Sequence, residues 1–404
     1  MTPYTVRVDH LDIGADSPAR VMGVINLSSE SFYPDSVMIS NEQIHETVKQ
    51  MQKEGVDLID VGGASTAPEN IYGSQKVSEK EELRRLKEGL EAIIESANVP
   101  ISIDTTSSRV AEFALDSGAV LVNDVSGLRT DPEMATIVAE RDIPVVLMSL
   151  CRQPCDSIQK SLEALSESLR VAHSAGIANE QIIVDPGIGF GKPPEVDFDL
   201  IRYLRRFTMW GHPVLVGLSR KAFIGNLLNQ PDPRDRLTGT IGATSVAVAR
   251  GASVIRTHDV IEARHAAAMG EKLRNWARET ENEIESLGII DERTAEVVIE
   301  YIGVGVDIRR GLSRKAVTLS FLLRNIKTPA ALIIKQEMLT LGGDAAYHTD
   351  VIDAGVEKTD VLVMGTPLQL ERFIDKLLRM DYFGLPKIGS TMRNLMDKRE
   401  KLLG

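Results

Sequence analysis

The sequence contains few aromatic residues and only two cysteines. Phe, Trp and Tyr together make up 4% of the 404 residues. Cys151 and Cys155 are too few for a disulfide framework, which excludes the class of small secreted proteins that depend on one. We expect two reduced thiols, although the Cys-Arg-Gln-Pro-Cys spacing leaves pairing or metal binding open. This cysteine usage favours a reducing, cytoplasmic environment.

An excess of positive charge and long apolar runs are also missing. The chain has 58 acidic residues against 46 Lys and Arg, a net charge of -12 at pH 7. Such a balance opposes general attraction to nucleic acid or to an anionic membrane. No run approaches the roughly 20 apolar residues that span a bilayer, and the N-terminus lacks the apolar core of a signal peptide. We therefore expect small-molecule partners, with any cations for an anionic substrate concentrated at one site.

Short apolar runs rich in Val and Ile alternate with longer amphipathic stretches from Val21 to about Gly270. Runs of this kind fit parallel strands buried on both faces, joined by crossover helices. Eight successive units predict an α/β chain with a closed (β/α)8 TIM barrel, and an open doubly wound sheet is the alternative. The predicted strands are 21–26, 58–62, 101–104, 120–124, 145–148, 182–185, 214–217 and 254–257.

The pattern changes after Met269, which suggests a second domain. A charged stretch from Glu271 to Glu285 has apolar residues at helical spacing. We expect the barrel domain to cover 1–285 and a smaller C-terminal α/β domain to cover 286–404. In the second domain, helices are predicted at 319–324, 330–341 and 367–380, and a strand at 361–364.

Polar residues follow nearly every predicted strand. In a TIM barrel the carboxyl ends of all strands share one face, so residues far apart in sequence would line a common mouth. An open sheet would bring together only the residues near a switch point. The strand-end residues are Asn26, Gly62, Gly63, Asp104, Asn123, Asp124, Asp185, Ser219, Arg220, Lys221, Arg256 and His258.

Asp185 precedes a glycine-rich loop that runs to Lys192. A buried carboxylate can accept two hydrogen bonds from the amidine-like edge of an aminopyrimidine, which suits a flat 2-amino-4-oxo ring such as a pterin. Asp104 and Asn123 could complete the donor and acceptor set for that ring. The alternative is that Asp185 only caps its loop.

A group of cations and hydroxyls favours a second, anionic part of the ligand. The Ser219 to Lys221 segment predicts a helix start that binds an anion, and Arg256 with His258 suits diphosphate oxygens. Lys221 could instead reach a ring carbonyl. A leaving diphosphate commonly needs Mg2+, and the amide oxygen of Asn26 could complete a mostly hydrated metal shell. The hexapeptide Gly-Leu-Ser-Arg-Lys-Ala recurs at 311–316, by coincidence or as a second helix-start anion site.

These segments resemble the dihydropteroate synthases, in order, over about residues 20 to 270. The resemblance implies a pterin-binding TIM barrel that joins a dihydropterin methyl diphosphate to an arylamine and releases diphosphate. It also implies a homodimer. The matching segments are Met22 to Asn26 with Ser31-Phe32, Ile59 to Thr66, Ile103 to Thr105, Val122 to Gly127, the Asp185 loop, the Ser219 segment and Arg256 to His258.

The resemblance also implies a role for each matching residue. Catalysis would fall to Asp104, Lys221 and Arg256. The pterin ring would be held by Asp104, Asn123, Asp185 and Lys221. Diphosphate would be bound by Asn26, Thr66, Arg256 and His258, with Asn26 also a ligand of Mg2+. The arylamine would face Ser219 and Arg220.

Departures from the family pattern bear on the acceptor. The usual Thr-Arg-Pro is Thr66-Ala67-Pro68, and the usual Met-His is Met148-Ser149. With its C-terminal extension the chain resembles the archaeal branch, in which the acceptor can be a ribofuranosylaminobenzene phosphate used for methanopterin rather than the p-aminobenzoate used for folate. A pterin-dependent methyltransferase and a non-catalytic pterin-binding protein are the alternative functions.

Overall fold

The chain forms two compact units, Met1–Ser286 and Leu287–Gly404. The computed structural model describes residues 4–14, 17–28, 40–64, 77–151, 154–274, 279–281, 284–286 and 291–403. Each unit has its own secondary structure and is treated by itself.

In its described residues, the first unit has eight parallel strands after a short antiparallel hairpin, β1 (Val6–Val8) and β2 (Leu11–Ile13). The parallel strands pair in the order β8-β7-β6-β5-β4-β3-β10-β9, and a bridge between Val184 and Val214 joins the two ends. The predicted (β/α)8 barrel is confirmed. The strands are β3 (Arg20–Asn26), β4 (Leu58–Gly62), β5 (Ile101–Asp104), β6 (Leu121–Asp124), β7 (Val145–Met148), β8 (Ile182–Asp185), β9 (Leu215–Gly217) and β10 (Val254–Thr257).

The N-terminal hairpin fills one end of the barrel. Its alternate residues Val6, Val8, Leu11 and Ile13 are buried. They pack in one cluster with the barrel residues Met22, Leu58, Leu121, Val146, Ile183, Leu215 and Val254. Because this end is a packed core, the carboxyl ends of the strands, at the opposite end, are the place to expect a ligand.

Helices follow the strands and begin at residues suited to cap them. Ser40, Ser78, Ser107, Asp131 and Ser157 each accept a backbone N–H of the helix that they start. No described helix is long and apolar enough to cross a membrane. The helices of this unit are Asn41–Glu54, Glu79–Ser96, Ser108–Ser117, Pro132–Glu140, Ile158–Ser174, Pro194–Arg202, Arg205–Thr208, Ala222–Leu228, Leu237–Ala249 and Val260–Leu273.

The charged stretch after Met269 is helical only at its start. The helix ends at Leu273, where Arg274 takes an extended backbone, and an antiparallel hairpin of β11 (Glu279–Glu281) and β12 (Ile284–Ser286) follows. The predicted helix over 271–285 is therefore wrong at 279–281 and 284–286, which are strands. The extended backbone of Arg274 ends the hydrogen bonds of the helix, and the backbone groups of 279–281 and 284–286 pair with each other instead.

The second unit is a small antiparallel sheet with helices. Its strands β13 (Leu319–Lys327), β14 (Asp344–Ala346) and β15 (Lys358–Gly365) pair in the order β13-β15-β14. One apolar face, including Val361 and Val363, packs with Ile334 and Phe373 in a separate core. The helices are Glu292–Tyr301, Val306–Ser313, Thr328–Thr340, Pro367–Leu378 and Leu385–Leu403.

Three predictions for this unit hold and one is wrong. The helices predicted at 330–341 and 367–380 and the strand at 361–364 are confirmed. Residues 319–324, predicted as a helix, belong to strand β13, in which Leu322 lies opposite Leu362 of β15. A short run of apolar residues is compatible with either a helix or a strand. Here the pairing with β15 makes it a strand.

The second copy of the repeated hexapeptide is not a helix start. Gly311 to Ser313 form the last turn of the helix Val306–Ser313. There the Ser313 hydroxyl donates to the Arg310 carbonyl, and Arg314 forms an ion pair with Glu371. A helix C-terminus presents carbonyl oxygens, which repel anions, so the hypothesis of a second anion site is wrong.

Candidate active site

The predicted pterin residues lie at the ends of neighbouring barrel strands. Asp104 of β5 stands directly opposite Asn123 of β6, and Asp185 of β8 stands opposite Met148 of β7. Arg256 of β10 is opposite Gly217 of β9. Parallel pairing in register therefore brings residues from distant parts of the sequence to one mouth.

Two carboxylates hold Arg256. Its Nε donates to Asp60 Oδ2 at 2.7 Å, and its Nη2 donates to Asp104 Oδ2 at 2.8 Å. Burial alone would lower the pKa of Arg256, but the charges of Asp60 and Asp104 outweigh burial and raise it. Asn123 also donates from Nδ2 to Asp60 Oδ2, at 3.0 Å. The four side chains form one buried network.

Asp60 is a site residue that the sequence pattern did not single out. It belongs to the matching segment Ile59 to Thr66, but it does not follow a strand; it lies within β4, Leu58–Gly62. A carboxylate in an otherwise apolar, fully buried strand was the available signal, since buried charges are normally paired.

Asp185 is buried at the end of β8, and its Oδ1 accepts the Gly187 N–H at 2.7 Å. Burial raises the pKa of this carboxyl, while the nearby Lys221 ammonium and the Gly187 hydrogen bond act against burial. The carboxylate thus caps its loop, as the alternative interpretation supposed, and still lies beside the cation that would share a ring ligand. The two roles are compatible because a carboxylate has two oxygens.

The glycine loop packs against Lys221. Lys221 donates from Nζ to the Ile188 carbonyl, and its ammonium lies 4.6 Å from the centre of the Phe190 ring. Gly189 has a φ of +78°, and a Cβ there would lie 2.7 Å from Lys221 Cδ. Burial lowers the pKa of Lys221 to about 8, although Asp185 and Asp197 oppose the shift.

Lys192 and Asp197 fix the same loop from behind, and the sequence pattern did not predict either residue. Lys192, which is buried, donates to the Gly187 carbonyl at 2.7 Å and to the Ser149 carbonyl at 3.3 Å. Asp197 Oδ1 accepts the Gly189 N–H at 2.7 Å. Burial lowers the pKa of Lys192 to about 8 and raises that of Asp197 to about 6.

Ser219 and His258 are neighbours at the mouth, where they follow the adjacent strands β9 and β10. The Ser219 hydroxyl oxygen lies 3.0 Å from His258 Nδ1 and accepts the His258 backbone N–H at 3.3 Å. Burial, together with the charges of Arg256, Arg220 and Lys221, lowers the pKa of His258 to about 3. His258 is therefore neutral at pH 7, so it can offer a hydrogen bond but no positive charge.

Arg220, which is predicted to face the arylamine, binds groups of the protein itself. Its guanidinium donates to both oxygens of Asp259, at 2.9 and 2.6 Å, and to the carbonyls of Pro233 and Arg234. All three guanidinium nitrogens are used, and the side chain is buried. The Arg220 backbone has a φ of +55°, and this left-handed turn directs the side chain into the protein.

Asn26 ends β3 at the mouth. A Cβ on Gly62 would lie 3.6 Å from Asn26 Oδ1 and 3.8 Å from Asp104 Cβ, so the absent side chain leaves these two residues close together. Thr66, Ala67 and the Ser31-Phe32 motif lie outside the described residues.

The two cysteines form a disulfide in the loop after β7, with their Cα atoms 5.4 Å apart. The expected pair of reduced thiols is therefore wrong. A separation of four residues allows the Cα atoms to come within the range that a disulfide spans. Among the described residues, no three His, Cys, Asp or Glu side chains are grouped so that they could hold a metal ion.

Comparisons with known proteins agree on the first unit. Residues 22–258 match the family described as pterin binding enzyme. A dihydropteroate synthase from Synechocystis sp. is 39% identical over 249 residues, which span 59% of this chain and 85% of that protein. One from Bacillus subtilis is 37% identical over 257 residues, which span 63% and 88%.

Solved structures give the same result. A Xanthomonas albilineans dihydropteroate synthase with 4-aminobenzoic acid has a TM-score of 0.61 and 33% identity, and the match covers 68% of this chain and all of that one. A Clostridium difficile dihydropteroate synthase in the presence of pteroic acid has a TM-score of 0.57 and 35% identity, with 64% and 97% covered.

Proposed function

The chain belongs to the dihydropteroate synthase family of pterin binding enzymes, and we propose that it joins a dihydropterin methyl diphosphate to p-aminobenzoate in folate synthesis. The family's enzymes are transferases. The observation that carries the proposal is the meeting of Asp104, Asn123 and Asp185 with Lys221 and Arg256 at one barrel mouth.

Asp185 would accept hydrogen bonds from the 2-amino group and the adjacent ring N–H. Its position beside Lys221 supports this, because an ammonium can donate to the 4-oxo group on the same edge. Asn123 and Asp104, paired across β5 and β6, would face the other edge of the ring. A flat heterocycle is recognised here by fixed acceptors and one cation.

The reaction breaks the bond between the pterin methylene carbon and a diphosphate oxygen. The arylamine nitrogen forms the new bond to that carbon and then loses a proton to solvent. The chief electrostatic demand falls on the departing diphosphate. Nη1 of Arg256, which has no hydrogen-bond partner in the described part of the chain, would contact it, as would neutral His258.

Mg2+ fits the Asn26 end of the mouth. An amide oxygen is a hard ligand that Mg2+ accepts, and this ion commonly keeps several waters and binds substrate phosphates. When bound, the ion would neutralise charge on the diphosphate. Asn26 would supply the protein ligand, and Thr66 a further contact to diphosphate.

The arylamine would approach beside Ser219, whose hydroxyl is next to His258. The relatives favour p-aminobenzoate, since a similar synthase was solved with 4-aminobenzoic acid. The ribofuranosylaminobenzene phosphate remains the competing acceptor because Ala67 replaces the family's arginine.

A competition assay tests the proposal. The purified protein is incubated with dihydropterin methyl diphosphate, Mg2+ and equal amounts of both arylamines, and the products are identified by mass spectrometry. We expect the p-aminobenzoate conjugate, and its formation should stop when EDTA removes the metal. Consumption of neither arylamine, with tight pterin binding, would indicate a binding protein. Methyl transfer from a methylated tetrahydropterin would indicate the methyltransferase.

A homodimer is also proposed. The barrel unit exposes large apolar side chains on two helices that pack together, Val246 on Leu237–Ala249, and Met269 and Leu273 on Val260–Leu273. Exposed apolar residues on adjacent helices support a protein interface.

A further inference from the structure

Asp60 lies inside the barrel wall rather than at its rim. Every residue of β4 is buried, and none of the Asp60 surface is exposed to solvent. Its Oδ1 has no hydrogen-bond partner in the described part of the chain. A buried carboxylate oxygen without a partner is costly, and in native proteins such a group calls for an explanation.

The other oxygen of Asp60 binds two donors. Oδ2 accepts Nδ2 of Asn123 at 3.0 Å and Nε of Arg256 at 2.7 Å. These residues are 63 and 196 positions away in the sequence and come from strands β6 and β10. A single atom therefore touches one residue assigned to the pterin ring and one assigned to the diphosphate.

The contact fixes the orientation of Asn123. An ionised carboxylate only accepts hydrogen bonds, so Asn123 must turn its NH2 group toward Asp60. Its carbonyl oxygen is then directed away from Asp60, where it can accept from a ring N–H. Were residue 60 an amide, it could donate to Asn123, and the Asn123 side chain could flip and present a donor instead.

The contact also fixes Arg256. Nε is held by Asp60 and Nη2 by Asp104, on the adjacent strands β4 and β5. With two sides of the planar guanidinium bound, the third nitrogen, Nη1, can point in only one direction.

We propose that Asp60 is a positioning residue of the reaction, which sets the acceptor that Asn123 offers to the pterin and the direction in which Arg256 meets the diphosphate. The inference rests on the proposed function. It gives a role to a carboxylate that is fully buried in the barrel wall and binds two site residues through one oxygen.

Asp60→Asn tests the role, because it keeps the size of the side chain and removes only its charge and its fixed acceptor character. We expect kcat/KM for dihydropterin methyl diphosphate to fall ~100-fold. A loss of this size is typical when a group that contacts the substrate is displaced by about 1 Å. KM for the arylamine should change by less than about 2-fold, since neither partner of Asp60 faces it. The midpoint of thermal unfolding should not fall.

Ser102→Ala is the matched control. Ser102 lies opposite Asp60 across β4 and β5, is equally buried, and has a hydroxyl without a hydrogen-bond partner in the described part of the chain. It should keep wild-type kinetics. If both variants lost activity in proportion to their loss of stability, Asp60 would be a structural residue and the inference would be overturned.

A double-mutant cycle shows whether Asp60 acts through Asn123. The affinity for free pterin, which lacks diphosphate, is measured calorimetrically for Asp60→Asn, Asn123→Ala and the combined variant. Each single change should weaken binding by about 10-fold, and the combination should weaken it no further. Additive losses would overturn the inference.

The outcomes separate this inference from the proposed function. A wild type that binds pterin but releases no diphosphate would refute the proposed function. An active wild type whose Asp60→Asn variant binds pterin and turns over normally would refute the inference about Asp60.

Discussion

Asp185 and Lys221 influence each other's ionisation at the barrel mouth. Burial raises the pKa of the carboxyl and lowers that of the ammonium to about 8, and in each case the opposite charge works against burial. Opposite charges that are buried near each other contribute little to stability, but removal of one leaves the other uncompensated. Binding of a ring that contacts both groups therefore depends on both.

Replacement of Asp185 by Asn should weaken pterin binding. The amide supplies one acceptor in place of two and leaves Lys221 without its counter-charge. We expect the dissociation constant for pterin to rise by roughly 10- to 100-fold, since hydrogen bonds to charged groups contribute about 1.5 to 3 kcal/mol. Calorimetric titration measures it.

Asp12→Asn is the control for that change. Asp12 pairs with Arg7 in the N-terminal hairpin, at the opposite end of the barrel, and both side chains are well exposed. Pterin affinity should be unchanged in this variant. Unchanged affinity in Asp185→Asn as well would count against the assignment of the ring site.

The site residues that were predicted from the sequence and those that were missed differ in their positions relative to the strands. Asp104, Asn123 and Asp185 were predicted because polar groups directly follow apolar runs. Asp60 was missed because it lies within a strand, and Asp197 because an acidic residue in the first turn of a helix is ordinary. The pairing of Arg220 with Asp259 was not predicted, because the left-handed backbone of Arg220 is rare for this residue and leaves no sequence signal.

Among the elements, the glycine loop after β8 bears most directly on the site. Its Gly187, Gly189 and Gly191 all have positive φ, at 70°, 78° and 68°. Lys192, Asp197 and Lys221 each bind one of its backbone groups. The loop therefore sets the place of Lys221 through packing and not only through charge.

Gly189→Ala separates these effects when it is compared with Gly176→Ala. Both positions have positive φ, so each alanine should cost roughly 1 kcal/mol of stability. A Cβ at Gly176 meets nothing within 4 Å, whereas one at Gly189 would displace Lys221. We expect pterin affinity to fall only in Gly189→Ala, as measured by titration. Equal affinities would show that the loop does not position Lys221.

Lys192 should make stability depend on pH. Its folded pKa is lowered to about 8, whereas in the unfolded chain it stays protonated to about pH 10.4. Between these values the unfolded chain binds more protons, so the contribution of Lys192 to the free energy of unfolding rises with pH. Below about pH 8 this contribution is constant.

Lys192→Met should remove that rise. Urea unfolding of both proteins at pH 7.5 and pH 9.5 should show the stability difference shifting toward the wild type at the higher pH, by about 1 to 2 kcal/mol. Parallel pH profiles would contradict the burial of the Lys192 ammonium.

At the level of elements, the barrel was predictable because its strands are buried on both faces and read as continuous apolar runs. Prediction of secondary structure was less accurate for segments whose structure depends on pairing with another strand. Strand β13 and the hairpin of β11 and β12 are set by their antiparallel partners, and local periodicity does not reveal partners.

For the molecule as a whole, the two units have separate cores, and all the described site residues belong to the first. The matches to known synthases likewise cover the first unit, with the family match ending at residue 258. The proposed chemistry therefore depends on the barrel unit, and no activity is assigned to the second unit.

The proposed dimer predicts that charge on the exposed barrel helices separates the subunits. Val246→Glu combined with Met269→Glu should sediment as a monomer, because two carboxylates would be buried in each half of the interface. Leu339→Glu is the control, since Leu339 is as exposed as Val246, at 48% and 47%, but lies in the second unit. A wild type that sediments as a monomer would refute the proposal.

The central claim is that side chains from separate strand ends act together to displace diphosphate from a pterin. Its most direct test is the rate of diphosphate release from dihydropterin methyl diphosphate, with and without p-aminobenzoate, for the wild type and Asp185→Asn side by side. Release should require the arylamine in the wild type and should be almost abolished in the variant. Release that is independent of arylamine, or equal in the two proteins, would contradict the account.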